Sequence, residues 1–510
     1  MKDSMQTERR LSDILDAAGG DVRLAGGDAA TMISAVEYNS AKVTPGSLFV
    51  AVEGFQSDGH LYLGDAVRRG ASAVVLSGAR MGEFGELGKN GVAVLAADNT
   101  RRALSSVSAA LYGHPSRNIP VIGITGTNGK TSITYMLESI FRANGMNPGV
   151  IGTVNYRWNG NEIPAPNTTP ESKDLQMMLR DMVAGGVDIA IMEVSSHGLK
   201  LNRVDHIEYN MGVFTNLTRD HMDFHTTFED YFESKRRLFS LVASTSKSLR
   251  AGIVNADDPY GRRILADGGG YPYPVISFGV DGGAGYHPDA RSVNNSIDGI
   301  SYVLESPLPG VLVKLNVSGK FHVSNSLCAF AAAHAMGVPV EIIQKGLGDV
   351  HTIPGRFDRV RSKLGFSVIV DYAHTDDALS KLLQSARELN PARLITIFGC
   401  GGNRDTTKRP LMGEAAASLS DFTIVTSDNP RNENPDDIIR DILAGIKGGD
   451  YVTEPDREKA IEMAVGMAAK GDIIVIAGKG HEDYQIIRGE KRHFDDRELA
   501  RKYILRRERG

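Results

Sequence analysis

The residues best suited to chemistry lie in one segment, Val121-Ile-Gly-Ile-Thr-Gly-Thr-Asn-Gly-Lys-Thr131. An apolar stretch is followed by a glycine-containing turn and then a helical pattern, so backbone N–H groups and the helix dipole would face a phosphate. Lys130 could reach the terminal phosphates, and Thr131 could hold Mg²⁺. The usual P-loop has a glycine where this chain has Ile124, and the alternative is a tight turn without a ligand. We predict an ATP site formed by Gly126, Thr127, Asn128, Gly129, Lys130, Thr131 and Ser132.

Glu193 comes directly after an apolar run at residues 187–192. If that run is a strand of a parallel sheet, Glu193 lies at the carboxyl edge, where α/β sheets bind ligands. A carboxylate there can hold a Mg²⁺ ion that bridges phosphate oxygens. The alternative is a glutamate that caps the following helix.

A second polar segment, Asn216-Leu-Thr-Arg-Asp-His-Met-Asp-Phe-His225, contains two histidines, two aspartates and an arginine. It indicates a polar active site. A zinc site is conceivable, but the spacing matches no common zinc pattern, and solvated loop charges are the other alternative. Further along, the pattern of residues alone predicts that Lys235 is an ordinary exposed lysine of a helix.

These residues must be positioned by alternating strands and helices, which predict an α/β fold class with three domains. We expect a small N-terminal α/β domain at residues 1–117, a central P-loop ATPase-type parallel sheet at 118–354, and a C-terminal Rossmann-like domain at 355–510. The central strands are apolar enough for a sheet that is covered on both faces. Residues 300–304 and 311–317 are predicted to be antiparallel hairpins appended to that sheet.

Composition argues against several classes of function. The net charge of −5 gives no reason to expect a nucleic-acid or membrane-surface partner. The two cysteines, Cys328 and Cys400, cannot form a disulfide framework, which indicates a reducing compartment. The N-terminus lacks the core of a signal peptide, and no apolar run approaches the ~18 residues of a membrane span. A cytoplasmic monomer is therefore expected.

Five motifs occur in order along the chain and together resemble those of the Mur ligases. They are Gly123-Ile-Thr-Gly-Thr-Asn-Gly-Lys-Thr131, Glu193-Val-Ser-Ser-His197, Asn216-Leu-Thr-Arg-Asp-His221, Gly355-Arg356 and Asp371-Tyr-Ala-His374. The resemblance covers nearly the whole chain. It implies an ATP-dependent, amide-forming enzyme of peptidoglycan precursor synthesis, in which ATP phosphorylates a carboxylate and an amine then attacks the acyl phosphate.

The resemblance also implies roles for residues at matching positions. Lys130 would neutralise the terminal phosphates, Thr131 and Glu193 would ligate Mg²⁺, and His221 would lie near the metal and the acyl phosphate. Lys235 would be carbamylated, so that it becomes an anionic ligand for a second Mg²⁺. The nucleotide site would be completed by Asn325, Arg356, Asp371 and His374.

Substrate contacts are implied in the same way. Those to the UDP end and the muramoyl-peptide are Tyr38, Ser40, Phe55, Gln56, Ser57, Asn167, Thr168, Thr169, Ser195 and Arg203. Three positions, in two segments, depart from the family pattern. This chain has Asn39-Ser40-Ala41 where the family commonly has Asp-Ser-Arg, and it has His322 where the family often has asparagine.

Further motifs resemble those of the family members that add the third amino acid to UDP-N-acetylmuramoyl-L-alanyl-D-glutamate. They are Asn167-Thr-Thr169, Gly399-Cys-Gly-Gly-Asn-Arg-Asp405, Asp428-Asn-Pro-Arg431 and Gly478-Lys-Gly-His-Glu482. The implied amino-acid contacts are Arg404, Asp428, Asn429, Pro430, Arg431, Gly478 and Glu482. The planar guanidinium groups of Arg431 and Arg404 match the second carboxylate of meso-diaminopimelate, and Glu482 can pair with its second ammonium. A lysine substrate lacks that carboxylate, so meso-diaminopimelate is the expected substrate.

Three alternatives stay open from the sequence. One is the lysine-adding ligase, and a more distant one is folylpolyglutamate synthase, which would not need the motif at residues 428–431. The third is a non-catalytic nucleotide-binding protein, which would be expected to lack Lys130, Glu193, His221 or Lys235. All four residues are present.

Overall fold

The structure is a computed structural model that describes residues 8–54, 57–83 and 91–509. The predicted substrate contacts Phe55 and Gln56 lie outside the described residues. Three sheets with mainly parallel strands form the framework, and each lies within one of the three predicted segments. The α/β fold class is therefore confirmed, whereas the boundaries at 117/118 and 354/355 stay predictions.

The central sheet has eight strands, and the P-loop strand Val121–Thr125 lies inside it. Six strands are parallel, and an antiparallel hairpin extends one edge. In spatial order, the strands are Asn161–Pro164, Asn155–Trp158, Pro148–Ile151, Ile189–Glu193, Val121–Thr125, Met211–Phe214, Ala251–Asn255 and Val275–Phe278.

Helices cover both faces of this sheet, as its apolar strands predict. Alternate residues of the P-loop strand point to opposite faces, so Ile122 and Ile124 join one core cluster and Val121 joins the other. The helices of this segment are Lys130–Ala143, Ser172–Ala184, Ser196–Lys200, Phe228–Ser244, Pro259–Ala266, Phe321–Ala335 and Val340–Gly348. Both faces of the sheet are thus closed, and ligands can approach only at its edges.

The predicted hairpins around residue 300 are strands, but they do not extend the central sheet. They form a separate antiparallel sheet of His287–Pro288, Asn294–Ser296, Gly299–Ser306 and Leu312–Leu315. Alternate residues of the long strand Gly299–Ser306, among them Tyr302, pack into the central core. The hairpins therefore cover one face of the central sheet, because their pattern of alternating burial leaves only one apolar side.

The C-terminal sheet has six strands with a core cluster on each face. Its spatial order is Asp358–Arg361, Ser367–Asp371, Ile473–Ala477, Leu394–Phe398, Phe422–Val425 and Tyr451–Thr453, with the first strand antiparallel. The helices are Asp376–Arg387, Lys408–Leu419, Pro435–Leu443, Arg457–Met467 and Asp496–Glu508, and a hairpin joins Tyr484–Ile487 to Glu490–His493.

The N-terminal sheet has five strands, ordered Arg23–Gly26, Ala93–Ala97, Ala73–Ser77, Ser47–Val50 and Ala35–Glu37. Its helices are Leu11–Ala17, Leu63–Arg68 and Thr100–Leu111. A short pair, Arg9–Arg10 with Met32–Ile33, lies beside it. Polar contacts tie this domain to the central one, among them Lys173 with Glu37 at 3.2 Å.

Candidate active site

The phosphate loop follows the central strand and is shaped by two glycines. Gly126 has φ +143°, and a Cβ atom there would lie 1.8 Å from Thr215 Oγ1. Gly129 has φ +92°, and its Cβ would lie 2.6 Å from Asn325 Oδ1. Any other residue at either position would clash, so the loop depends on glycine at both. This contact also places Asn325 against the loop, as predicted.

The loop is held by the polar segment that follows the next strand. The Thr127 N–H donates to the Asn216 carbonyl, and the Asn128 N–H donates to Asn216 Oδ1, each at 2.9 Å. The Thr218 N–H donates to Thr127 Oγ1 at 3.1 Å. The segment 216–225 therefore supports the phosphate loop from one side.

Two lysine side chains meet at the back of the loop. The Lys130 amine donates to the carbonyls of Gly126 and Thr127, each at 2.9 Å, and the Lys235 amine donates to the Gly126 carbonyl at 2.8 Å. Lys235 is only 1 % exposed, so the prediction that it is an exposed lysine of a helix is wrong. Burial, together with the charge of Lys130, lowers the pKa of Lys235 well below its ordinary value. A lowered pKa increases the fraction of the neutral, nucleophilic amine.

Glu193 is buried beside the loop and is held by two hydroxyl groups. Its Oε2 accepts from Thr131 Oγ1 at 3.1 Å and from Thr153 Oγ1 at 2.8 Å, while Oε1 accepts from the Thr153 N–H at 3.0 Å. The alternative role as a helix cap is wrong, because Ser195 caps the next helix. Hydroxyl and carboxylate oxygens at this spacing are the hard ligands that Mg²⁺ prefers.

The sequence did not predict a role for Thr153 in the site. It lies just beyond the carboxyl end of the strand Pro148–Ile151, a neighbour of the strand that ends at Glu193. A Cβ at Gly152 would lie 2.5 Å from Glu193 Oε1, so a glycine lets the two strand ends approach. The pair Gly152-Thr153 at a strand end is the signal that could have found it.

Three histidines and Asp220 lie close to one another near the segment that holds the loop. The rings of His221 and His197 meet edge-on with centroids 4.9 Å apart. Asp220 Oδ2 lies 3.4 Å from His221 Nε2 and 3.9 Å from His374 Nε2. Desolvation lowers the pKa of His221 to about 3 and that of His197 to about 4, so both rings are neutral near pH 7. Among the described residues, no group of three or more His, Cys, Asp or Glu could hold a metal ion.

The C-terminal domain reaches the phosphate loop through Arg356, and a second predicted residue, Asp371, orders the backbone beside it. Arg356 Nη2 donates to Thr131 Oγ1 at 3.3 Å, and its guanidinium lies over the Tyr372 ring. Asp371 accepts the N–H groups of Phe357 and Ala373, and burial raises the pKa of this carboxyl group. Asp371 thus orders the backbone next to Arg356.

A cleft of about 980 Å³ extends from the central sheet to the C-terminal domain. It brings together most of the predicted substrate residues and both histidines, His221 and His374. The predicted residues that line it on the two sides are Asn167, Thr168, Thr169, Ser195, Arg203, Arg404, Asp428, Asn429, Arg431, Gly478 and Glu482. One continuous space therefore connects residues that are more than 300 positions apart in the chain.

The end of the cleft in the C-terminal domain carries charged residues that the sequence predicted to bind the amino acid. Arg431 has a left-handed backbone with φ +53°, and its Nη1 donates to the Gly402 carbonyl at 2.6 Å. Asn429 Nδ2 donates to Glu482 Oε2 at 2.9 Å. A Cβ at Gly478 would lie 2.5 Å from Asp428 Oδ2, so a glycine is needed there as well. The loops that carry Asp428 and Gly478 follow the parallel strands Phe422–Val425 and Ile473–Ala477.

The opposite end is built from residues of the central domain. Thr169 Oγ1 donates to the Glu193 carbonyl at 3.0 Å and accepts the Ser195 N–H at 2.9 Å. Arg203 Nη1 donates to the Thr169 carbonyl, and Thr168 Oγ1 lies 3.0 Å from Thr153 Oγ1. The proposed muramoyl-peptide contacts are thus coupled to the predicted metal ligand Glu193.

Three predicted contacts of the N-terminal domain are not among the described residues that line this cleft. The Tyr38 hydroxyl donates to Asp174 of the central domain at 2.7 Å. Ser40 is buried and hydrogen-bonds to Asp65, and Ser57 Oγ donates to the Tyr62 hydroxyl at 3.0 Å. Their role toward a UDP group stays a prediction.

The site combines a glycine-shaped phosphate loop, which Arg356 of the C-terminal domain contacts, with a charged cleft between the central and C-terminal domains. This combination is typical of an ATP-dependent ligase. Matches to models of protein families identify the family to which the chain belongs. The Mur ligase family catalytic domain matches residues 32–112, the Mur ligase middle domain matches 124–333, and the Mur ligase glutamate ligase domain matches 355–480. The chain belongs to the Mur ligase family, as its motifs predicted.

Individual relatives agree with this assignment. The chain is 45 % identical over 495 residues to the UDP-N-acetylmuramoyl-L-alanyl-D-glutamate–2,6-diaminopimelate ligase of Geobacter metallireducens, covering 93 % of this chain and 94 % of the relative. It is 43 % identical to the ligase of the same name from Clostridioides difficile, over 96 % of this chain and 98 % of the relative. A solved structure of a ligase with this name superposes with a TM-score of 0.70 at 29 % identity, covering 98 % and 99 % of the two chains. Within the part of the chain that the structure describes, no helix has the length and apolarity needed to cross a membrane.

Proposed function

We propose that this enzyme joins meso-diaminopimelate to UDP-N-acetylmuramoyl-L-alanyl-D-glutamate at the expense of ATP. The observation that carries the proposal is the single cleft lined by Thr168, Arg203 and His221 of the central domain and by Arg404 and Arg431 of the C-terminal domain. An acyl acceptor and an amine bound at the two ends would meet beside the phosphate loop. The names of the relatives support the same reaction.

In the first step, an oxygen of the D-glutamate γ-carboxylate attacks the γ-phosphorus of ATP, and ADP leaves. The product is an acyl phosphate. Charge spreads over the transferring phosphoryl group, so catalysis depends mainly on position and electrostatics. The loop N–H groups would bind the phosphates, and Lys130 would move from its loop carbonyls to neutralise them. Arg356 would add a second positive charge from the C-terminal domain.

Magnesium fits the oxygen atoms that meet beside the loop. Thr131 Oγ1 and Glu193 Oε2 are 3.1 Å apart and would hold one ion. The buried amine of Lys235 has a lowered pKa, and its neutral form can add to carbon dioxide, forming an N–C bond and releasing one proton. The product is a carbamate suited to a second ion. Bound Mg²⁺ would neutralise charge on the phosphoryl group. His221 would face this second position.

In the second step, an uncharged amine of diaminopimelate attacks the acyl carbon. A tetrahedral intermediate forms, the attacking nitrogen releases one proton to solvent, phosphate leaves with the pair of electrons of the C–O bond, and an amide remains. The amine must be held against the acyl phosphate, and this alignment lowers the entropic cost of the reaction. The C-terminal end of the cleft would bind the rest of the amino acid.

The choice of amino acid would rest on the charges of that end. Arg431 and Arg404 would bind the distal carboxylate, and Glu482 would bind the distal ammonium. L-lysine would leave the two guanidinium groups without their anionic partner, which costs about 1–3 kcal/mol for each unpaired group. The enzyme would therefore prefer meso-diaminopimelate to lysine.

The test is ATP-dependent phosphate release by the purified protein with the UDP-muramoyl-dipeptide and one amino acid. We expect release with meso-diaminopimelate and little with L-lysine. A preference for lysine would contradict the carboxylate-binding role of the arginines. No release with either amino acid would contradict the reaction, and folate substrates would then be tested.

A further inference from the structure

One lysine of the C-terminal site lies behind the cleft rather than in it. The Lys479 side chain is completely buried, whereas that of Glu482 is 16 % exposed. Glu482 lines the cleft, and Lys479 is absent from the described residues that line it. Burying an ammonium group is costly unless it is paired, so its partners indicate what it does.

The partners of Lys479 are two residues of the proposed amino-acid site. Its Nζ donates to Asn429 Oδ1 at 3.2 Å and to Glu482 Oε2 at 3.3 Å. Asn429 Oδ1 also accepts the Ile486 N–H at 3.0 Å, so the amide oxygen receives two donors. This arrangement orients the Asn429 amide, whose Nδ2 then donates to Glu482 Oε2 at 2.9 Å. Lys479 thus determines the direction of both side chains.

We propose that Lys479 is a positioning residue that keeps Glu482 oriented and anionic for the distal ammonium of the incoming amino acid. The inference rests on the proposed function. It assigns to Lys479 no contact with the substrate. A free carboxylate in this place binds a cation, whereas a protonated carboxyl group would not.

The charges around Glu482 show why a cation is needed. Burial and the negative charge of Asp428 raise the pKa of Glu482, and Lys479 and Asn429 oppose this rise. The groups that face Glu482 from the surrounding elements are Asp428, Arg457, Tyr372, Tyr484 and Lys479, with Arg431 and Lys491 against Tyr484. Arg457 is already paired with Asp496. Lys479 is therefore the cation in hydrogen-bonding contact with Glu482.

The substitution K479M tests the proposal, because methionine has a similar length without the charge. The pKa of Glu482 should rise further, so a larger fraction of its carboxyl group would be protonated at a given pH, and that fraction would fall as the pH increases. We expect the KM for diaminopimelate to rise by about tenfold to a hundredfold at neutral pH, with a smaller change in kcat. The ratio of variant to wild-type KM should fall as the pH increases, and this ratio cancels the titration of the substrate itself.

Several variants separate charge from structure. K479R should retain most of the affinity, whereas K479Q, which preserves a donor but not the charge, should behave like K479M. In an E482Q background, K479M should add little to the KM, because the charge it supports is already gone. K447M is the matched control, since Lys447 is an exposed lysine of the same domain. Thermal melting shows whether each variant is folded.

The outcomes separate the two proposals. A wild-type enzyme that does not use diaminopimelate contradicts the proposed function. An active wild type with an unchanged KM in folded K479M contradicts the role of Lys479. A raised KM that does not depend on pH and persists in the E482Q background also contradicts it, because the effect would then be purely structural. If K479M does not fold, K479Q and K479R decide the question by the same KM ratios.

Discussion

The phosphate loop and the amino-acid loop occupy equivalent places in two different sheets, yet they are held in different ways. Each follows a buried parallel strand, Val121–Thr125 in one case and Phe422–Val425 in the other. The phosphate loop is shaped by glycines and by hydrogen bonds to backbone groups. The amino-acid loop is shaped by buried charged and amide side chains, including those of Asn429, Lys479 and Glu482.

This difference corresponds to what each loop binds. A phosphate is the same in every turnover, so N–H groups that belong to the backbone can recognise it without reading a side chain. An amino acid must be distinguished from similar ones, and directed charges provide that discrimination. The first loop can therefore vary little, whereas the second can acquire a new specificity through a few substitutions.

The amino-acid loop has a further buried support. Arg457 and Asp496 form an ion pair whose side chains are both completely buried. The Arg457 guanidinium also donates to the carbonyls of Ser427 and Ala477, at 3.3 and 2.9 Å. These carbonyls come directly before Asp428 and Gly478, so one arginine joins the starting points of both substrate loops.

The largest effect is expected from K130M in the phosphate loop. Loss of the charge that neutralises the terminal phosphates should reduce kcat by about a thousandfold, with either amino acid as substrate. Phosphate release measures this, with K447M as the control. A loss of less than tenfold, or a loss confined to one amino acid, would contradict the general role of this loop.

The next effect concerns stability in the C-terminal domain. R457M leaves the Asp496 carboxylate buried without its partner and should lower the free energy of unfolding by about 3–5 kcal/mol. Urea denaturation followed by circular dichroism measures the change. The double variant R457M/D496L removes both charges and should recover part of the loss. Equal stability of the single variant and the wild type would contradict the supporting role of the pair.

A smaller and more selective effect is expected from R431M. The KM for meso-diaminopimelate should rise by about tenfold to a hundredfold, while the weak reaction with L-lysine should hardly change. The comparison of the two substrates with one enzyme preparation provides the measurement. R501M, which alters an exposed arginine of the last helix, is the matched control. A similar loss for both substrates would indicate that Arg431 only supports the loop.

The smallest effect is expected from T153V beside the phosphate loop. Its hydroxyl group donates to Glu193 Oε2 at 2.8 Å, and removal should weaken the orientation of that carboxylate. The Mg²⁺ concentration for half-maximal activity should rise by about five- to tenfold, since one hydrogen bond to a charged group contributes about 1.5 kcal/mol. T153S restores the hydroxyl and should return the value to that of the wild type. An unchanged Mg²⁺ dependence in T153V would contradict this role.

Local features of the chain predicted much of the fold and part of the site. The P-loop strand, the turn with its two glycines and the helix from Lys130 were all predicted, because they depend on neighbouring residues. The prediction that the hairpins near residue 300 extend the central sheet was wrong, because they form a separate sheet. Which strands pair depends on contacts between residues far apart in the chain. Thr153 was missed because its role depends on a strand neighbour 40 residues away.

The sequence by itself determined the class of enzyme, the α/β alternation and the position of the phosphate loop. The alternation and the loop follow from residue types at short spacing, where backbone geometry leaves few solutions, whereas the class of enzyme follows from the resemblance of the motifs to those of the Mur ligases. Only the tertiary structure decided that Lys235 and Lys479 are buried, because both are ordinary lysines in local sequence. Burial depends on which distant elements pack around a side chain, and it is burial that lowers the pKa of Lys235 and requires the Lys479 ammonium group to be paired.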